Sequence, residues 1–309
     1  MGLVTRQPEA MRRRGTPLAG RPALRLIVNR NASGIERRIP RDALLAALRR
    51  AGAEVELQPT ATVEELAAAW ADDDGRRLVL VGGDGTVHAA ARLGGPRREV
   101  ALIPAGRANN VARSLGIPLD WRGAAHLAAT GEPHPIDLME ARTGVGSRIV
   151  IESVSVGFLA QARVRYHGRN SADLSAGLRA GAGALAGFHP FAVRVAGPSG
   201  EEILELAQLF VANLPLYEFG LHVAPAADPT DATLDVVGIS GRSRRAVLEM
   251  LYDLHRGKDL RHLGVHLWRS PNVSIQTDGC SPIVADSTDL GSGPVELRTL
   301  PAALRLVRP

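Results

Sequence analysis

A change of period near residue 133 constrains the fold of this chain more than any other feature. Before it, short apolar runs alternate with segments whose apolar residues recur at helical spacing. The runs at 23–28, 54–57, 77–81 and 99–103 read as strands. They are continuously apolar rather than alternating, as strands of a parallel sheet covered on both faces are. Helices are predicted between them over 42–50, 62–70, 86–93 and 109–115. Leu44, Leu45 and Leu48 share one face of the first, Asp42 stands where a cap is needed and Gly52 can end it; Thr62 and Glu65 have capping-box spacing before the second. After residue 133 the pattern becomes strand-rich, with runs at 135–142, 148–156, 191–197, 203–213, 233–239, 265–269, 272–277 and 295–307. Turn residues such as Gly197-Pro198-Ser199-Gly200 separate them, and helices are expected only around 159–166, resuming through 175–187, and over 243–255. The expectation is an α/β chain: an N-terminal three-layer α/β domain with a mainly parallel sheet over 22–134, and a C-terminal β-sandwich domain over 135–309 whose last residues pack back on the first. Residues 1–21, rich in Arg, Pro and Gly, read as a disordered basic tail.

Charge narrows the partners. The chain has 309 residues, a formal charge of +5 and a pI near 10.2, and Lys258 is its one lysine. Arginine suits phosphate because its planar fork binds two oxygens at once. No aromatic residues interleave with the basic ones, so nucleic acid ranks below a membrane surface, and a solvated basic surface ranks above both. No run reaches the roughly 18 apolar residues of a spanning helix. The segment after Arg12-Arg13-Arg14 is no secretory h-region, and Cys280 is the single cysteine. These features point to a cytoplasmic protein, with peripheral contact at the inner face of the membrane as a further expectation and homo-oligomerisation left open.

The chemistry concentrates at Gly82-Gly83-Asp84-Gly85-Thr86, which joins the strand ending at Val81 to the helix through Leu93. Such a turn can aim backbone N–H groups and a helix N-terminus at a polyanion, and glycines let phosphate approach without a Cβ in the way. Asp84 would repel bare phosphate, so its use is to hold Mg²⁺ or orient a hydroxyl. The string is neither a Walker loop nor the Rossmann spacing. An ordinary strand-to-helix turn is the competing explanation.

This string resembles the nucleotide loop shared by NAD kinases and the diacylglycerol kinase and sphingosine kinase family. Three further groups of residues favour the lipid-kinase side: the segment Asn29 to Gly34, the segment Pro104-Ala105-Gly106-Arg107-Ala108-Asn109-Asn110-Val111-Ala112-Arg113, and Ser155-Val156-Gly157-Phe158 with Asp231 to Asp235 beyond it. The resemblance implies ATP and Mg²⁺ as cofactors and a lipid hydroxyl as acceptor, diacylglycerol-like or sphingoid-like. By the same resemblance Asn29, Ser33, Gly82, Gly83, Asp84, Gly85, Thr86, Gly106, Arg107 and Asn109 bind the nucleotide. Asp84 binds metal, Asp231 lies at a second, structural metal site, and Asp278 of Asp278-Gly279-Cys280 takes the acceptor's proton.

Arg30, Arg107 and Cys280 depart from the family pattern. Cys280 stands where glutamate is expected, and it motivates an alternative reading, a catalytically impaired nucleotide- or lipid-binding regulatory homologue. An NAD kinase is the remaining alternative. Asp278-Gly279 also suits a plain hairpin turn between strands. His134, His189 and His222 lack metal-ligand spacing, and Ser153 and Ser155 lack a nucleophile context.

Overall fold

The computed structural model describes residues 22–29, 38–72, 74–95, 98–166, 174–198 and 200–309. The basic tail, Arg30 and Ser33 therefore lie outside the described residues.

The first part of the chain alternates as its pattern requires: β1 (Ala23–Asn29), α1 (Arg41–Arg50), β2 (Glu54–Thr60), α2 (Val63–Ala71), β3 (Arg77–Gly82), α3 (Asp84–Leu93), β4 (Glu99–Pro104), α4 (Asn110–Ser114) and α5 (Trp121–Thr130). The strands pair in parallel in the order β2-β1-β3-β4. Leu66, Ala69 and Trp70 of α2 and Val87, Ala90 and Ala91 of α3 cover one face of this sheet. Leu44 and Leu48 of α1 and Ala124, Ala125 and Ala128 of α5 cover the other. The predicted cap at Thr62 forms, its hydroxyl accepting from Glu65 N at 3.2 Å. Asp42 instead lies inside the first turn of α1, after Pro40 at the cap position. Helix α5, absent from the sequence reading, starts at Asp120, whose carboxylate accepts from Gly123 N at 2.8 Å.

The remainder comprises β5 (Pro133–Thr143), β6 (Gly146–Val150), β7 (Ser153–Gly157), α6 (Phe158–Tyr166), α7 (Leu174–Ala186), β8 (Phe191–Gly197), β9 (Gly200–Leu206), β10 (Gln208–Ala212), β11 (Leu216–Tyr217), β12 (Leu221–His222), β13 (Leu234–Ile239), α8 (Arg244–Arg256), β14 (Val265–Ser270), β15 (Asn272–Thr277), β16 (Ile283–Ala285), β17 (Thr288–Asp289) and β18 (Val295–Val307). Strand β18 runs parallel to β4 at its end and antiparallel to β5 and β15 elsewhere, so one ten-stranded sheet continues from the parallel strands into the second half. A six-stranded antiparallel sheet, β14-β13-β10-β7-β16-β17, packs on its far portion. Val154, Val156, Leu209 and Val236 of that sheet meet Val193, Val195, Val273 and Leu297 of the larger one in a shared apolar core.

Two runs expected as single strands are broken, for the same reason. The 148–156 run leaves the large sheet at Val150 and enters the small one at Ser153. Between them, Ile151, Glu152 and Ser153 donate their N–H groups to the Asp286 carboxylate at 2.7, 2.9 and 3.4 Å. The 203–213 run breaks at Ala207, whose N–H goes to Ile239 O and whose carbonyl accepts from Phe158 N. A strand that changes sheets must leave its ladder, and its freed backbone groups need other partners.

Candidate active site

The glycine turn is built by close backbone approach. β3 ends at Gly82, Gly83 precedes the first turn of α3, and Ala105 N donates to Gly82 O at 2.8 Å. A Cβ on Gly83 would stand 2.9 Å from the Gly106 Cα, and one on Gly106 would stand 2.6 Å from the Gly83 Cα. The two loops thus lie back to back, at a spacing that only glycine allows. Asn109 holds the second loop shut: it adopts φ 49, its Oδ1 accepts from Gly106 N at 2.9 Å and its Nδ2 donates to Gly106 O at 3.1 Å. Arg38 adds a bond from its guanidinium to Gly106 O at 2.8 Å. From the end of β1, Asn29 Nδ2 donates to Thr86 Oγ1 at 3.1 Å.

These loops line a cleft of about 330 Å³. Asn29, Gly83, Asp84, Gly85, Thr86, Gly106 and the exposed Arg107 face it from the parallel sheet, while Arg163, Tyr166 and Phe219 close it from the other side. Asp84 accepts from Val111 N through Oδ1 at 3.2 Å.

Behind Asp84 a smaller recess holds Asn110, from the segment singled out in the sequence, and residues that the sequence reading missed: His88, Glu152, Tyr217 and Asp286. His88 Nε2 lies 2.5 Å from Glu152 Oε1, and Asn110 Nδ2 donates to Glu152 Oε2 at 3.3 Å. Burial alone would push the imidazole down. The carboxylates of Asp286, Glu152 and Asp84 outweigh it and hold His88 up at about 9. Burial pushes the Glu152 carboxyl up, with Asp84 and Asp286 adding to it and His88 pulling it back. Asp286 itself is buried, with φ 41 followed by φ 65 at Ser287. Two successive left-handed residues without a glycine are a costly backbone, the kind held where a side chain must be aimed. The only trace of this recess in the sequence is the short polar string Asp286-Ser287-Thr288, placed directly after the apolar 283–285 run.

A hairpin roofs the recess. Between β11 and β12, Gly220 N donates to Asn110 Oδ1 at 3.1 Å, Ser287 Oγ donates to Glu218 Oε1 at 3.1 Å, and Arg163 pairs with Glu218 at 3.4 Å. Phe219, at φ 48 and 73% exposed, stands between cleft and recess.

Other expected site residues lie elsewhere. Asp278 is exposed in the turn after β15, where its Oδ1 accepts from Cys280 N at 3.0 Å and Ser281 N at 3.3 Å. Neither Asp278 nor the exposed Cys280 lines the cleft or the recess. Asp231 lies before β13, bonded to Thr233 and 3.5 Å from the Arg269 guanidinium. Among the described residues no three His, Cys, Asp or Glu side chains are grouped to hold a metal ion. Mg²⁺ is commonly held by one or two carboxylates together with substrate phosphates, and Asp84, which lines both cleft and recess, fits that use. Asp231, already beside a guanidinium, does not.

A glycine turn at the head of a parallel sheet thus opens onto a carboxylate recess under an antiparallel sandwich. The chain matches the family "Diacylglycerol kinase catalytic domain" over residues 23–141 and "YegS C-terminal NAD kinase beta sandwich-like domain" over 152–308. It is 30% identical over 249 residues to a "Diacylglycerol kinase" of Mycobacterium tuberculosis, covering 75% of this chain and 76% of that one. It is 28% identical over 275 residues to a "Probable lipid kinase YegS-like" of Pseudomonas putida, covering 82% and 88%. A crystal structure of a diacylglycerol kinase from Bacillus anthracis superposes with a TM-score of 0.69 at 19% identity, over 94% of this chain and 98% of that one, and shares its fold. The chain belongs to the diacylglycerol kinase catalytic-domain family.

Proposed function

We propose that this protein transfers the γ-phosphoryl group of ATP to the hydroxyl of a lipid acceptor, diacylglycerol-like or sphingoid-like. One observation carries the reading: Asp84 lines both the cleft of the glycine turn and the carboxylate recess, so the phosphate loops and Asp286 open onto the same point. The loops of residues 22–134 hold the nucleotide, with Asn29, Gly82 to Thr86, Gly106, Arg107 and Asn109 about its phosphates. Residues 135–309 supply the acceptor side. Mg²⁺, held by Asp84 and the phosphates, would neutralise charge on the transferred group.

Asp286, rather than Asp278, is the proposed general base. Glu152 is tied to the His88 and Asn110 side chains, whereas Asp286 lines the same recess as Asp84 with its carboxylate held by three backbone N–H groups, which leaves it one further lone pair for an acceptor hydroxyl. Its carboxylate takes the proton of the acceptor hydroxyl as that oxygen bonds to the γ-phosphorus and the bond to ADP breaks. With the base at Asp286, Cys280 lies outside the chemistry and no longer argues for an impaired homologue. The test is ATP-dependent phosphorylation of diacylglycerol, sphingosine and NAD in mixed micelles. Lipid-dependent turnover supports the reading, and turnover with NAD alone would replace it. The protein meets the membrane peripherally in this account; among the described residues no helix is long and apolar enough to cross a membrane.

A further inference from the structure

Helix α8 turns Val247, Met250 and Leu254 inward, into a core shared with Tyr217 and Leu221 of the β11–β12 hairpin. On its outer side Leu248 and Tyr252 are 52% and 56% exposed. At about 100° per residue these two stand one turn apart on a single strip of the helix. The same spacing sets Arg244 and His255 along one flank of the strip and Arg245 and Arg256 along the other, all four exposed. Glu249 is the one acid on this face, at its edge, and pairs with Arg245 at 2.9 Å. Asp253 is buried, 3.7 Å from Lys258 and 3.2 Å from His262. Arg244 also donates to Ala186 O at 2.5 Å, a bond that leaves its charge uncompensated. Beyond the helix, Lys258 sets its Nζ 4.6 Å from the centroid of the Tyr252 ring. Residues 242–261 carry six exposed arginine or lysine side chains against three carboxylates, so more than half of the chain's formal charge of +5 arises here.

A helix that faced only water would carry polar side chains at 248 and 252. An apolar strip bordered on both flanks by cations is instead the pattern of a helix lying in the headgroup layer. There the apolar side chains enter the acyl boundary and the guanidiniums meet lipid phosphates. We propose that the outer face of α8 docks on an anionic phospholipid bilayer, with Leu248 and Tyr252 inserted and Arg245, Arg256 and Lys258 on the phosphates. Charge complementarity selects this occupant over a second copy of the chain, because a two-fold contact across this face would set its arginines against one another. The helix ends against the hairpin that roofs the recess: a Cβ on Gly257 would stand 3.4 Å from the His222 ring. Docking therefore brings the hairpin bearing Phe219 close to the bilayer from which a lipid acceptor comes. That last placement rests on the kinase reading; the docking surface itself does not.

The experiment measures sedimentation of the full chain, without ATP, with phosphatidylcholine vesicles and with vesicles that also contain phosphatidylglycerol. The proteins compared are wild type, L248A/Y252A, R245Q/R256Q, and R49Q/R50Q, which removes the same charge from exposed arginines of α1. Binding to the anionic vesicles should fall roughly fivefold per arginine in R245Q/R256Q. It should fall roughly tenfold in L248A/Y252A, through lost apolar area, while R49Q/R50Q keeps most of it. The tryptophan emission of L248W, compared with wild type, should shift to the blue on anionic vesicles as the indole leaves water. L248W and R245Q/R256Q decide the question even if L248A/Y252A does not fold. No binding by the wild type, equal losses in R245Q/R256Q and R49Q/R50Q, or an unmoved L248W emission overturns the proposal. So does a dimer, seen by sedimentation velocity without lipid, that L248A/Y252A dissolves. Lipid phosphorylation assayed on the same proteins separates the two claims. An active enzyme whose vesicle binding ignores α8 removes the docking surface alone; α8-dependent binding without activity toward any lipid removes the kinase reading alone.

Discussion

Arg25 is the largest fully buried side chain among the described residues, set in a strand whose neighbours are apolar. Its guanidinium reaches Asp74 at 2.6 Å and Asp72 at 3.0 Å, and Arg76 also pairs with Asp74. Burial works against the Asp74 charge, but hydrogen bonds from Arg76 and the charges of Arg25 and Arg76 hold its carboxyl below the ordinary value. Removing one partner of a buried pair leaves the other uncompensated, so Asp74→Ala should destabilise the protein by about 3 kcal/mol in denaturant unfolding. The pairing that lets Arg25 be buried could not be read from the apolar 23–28 run, because the partners lie 47 and 49 residues away. His88 carries a second prediction at this scale. Its folded value of about 9 exceeds the ordinary 6.5, so its contribution to stability is fully present below pH 6.5 and is lost as pH rises through 9. The upward shift of Glu152 has the same sign. The thermal midpoint should therefore fall across that window, and His88→Gln should flatten the fall.

Among elements, the two glycine loops were the most legible. Their strand–turn–helix setting and their glycines are local signals, and the structure places Asn29, Gly83, Asp84, Thr86, Gly106 and Arg107 around one cleft. Gly106→Ala would force the loops apart, and ATP affinity measured by calorimetry should fall at least roughly tenfold, about 1.4 kcal/mol, while the fold is kept. The recess was not legible. It joins α3, the β6–β7 crossing, the β11–β12 hairpin and the β16–β17 turn, which no sequence spacing connects. Asp278-Gly279 suggested itself because an Asp-Gly turn is a recognisable string, whereas the proposed base Asp286 stands out only through the three backbone N–H groups that hold its carboxylate. The hairpin bearing Phe219 is tied down at Gly220 and Glu218 but leaves its ring exposed between cleft and recess. Phe219→Ala should raise the acceptor KM several-fold with a smaller change in kcat, which micelle kinetics at varied lipid fraction would resolve.

Over the whole molecule, the change of period near residue 133 correctly separated a parallel sheet with helices on both faces from an antiparallel sandwich. What it did not reveal is that β5 and β18 join the two halves into one ten-stranded sheet. Cross-chain pairing of this kind depends on register over 150 residues and leaves no local mark. Asp137, buried on β5, ties two later segments of the chain to that strand: its carboxylate accepts from Ala302 N at 2.8 Å, at the irregularity in β18, and from Ala232 N at 2.7 Å. The shared sheet fixes the glycine loops of one half against the carboxylates of the other, and the proposed phosphoryl transfer depends chiefly on such positioning.

The measurement that tests this account most directly is lipid-dependent ATP turnover of the wild type beside Asp286→Asn and Asp278→Asn, with unfolding curves for each. The account predicts that Asp286→Asn lowers kcat by roughly 10²–10⁴-fold with the fold retained, while Asp278→Asn stays close to wild type. Full activity in a folded Asp286→Asn protein, or loss confined to Asp278→Asn, would contradict it.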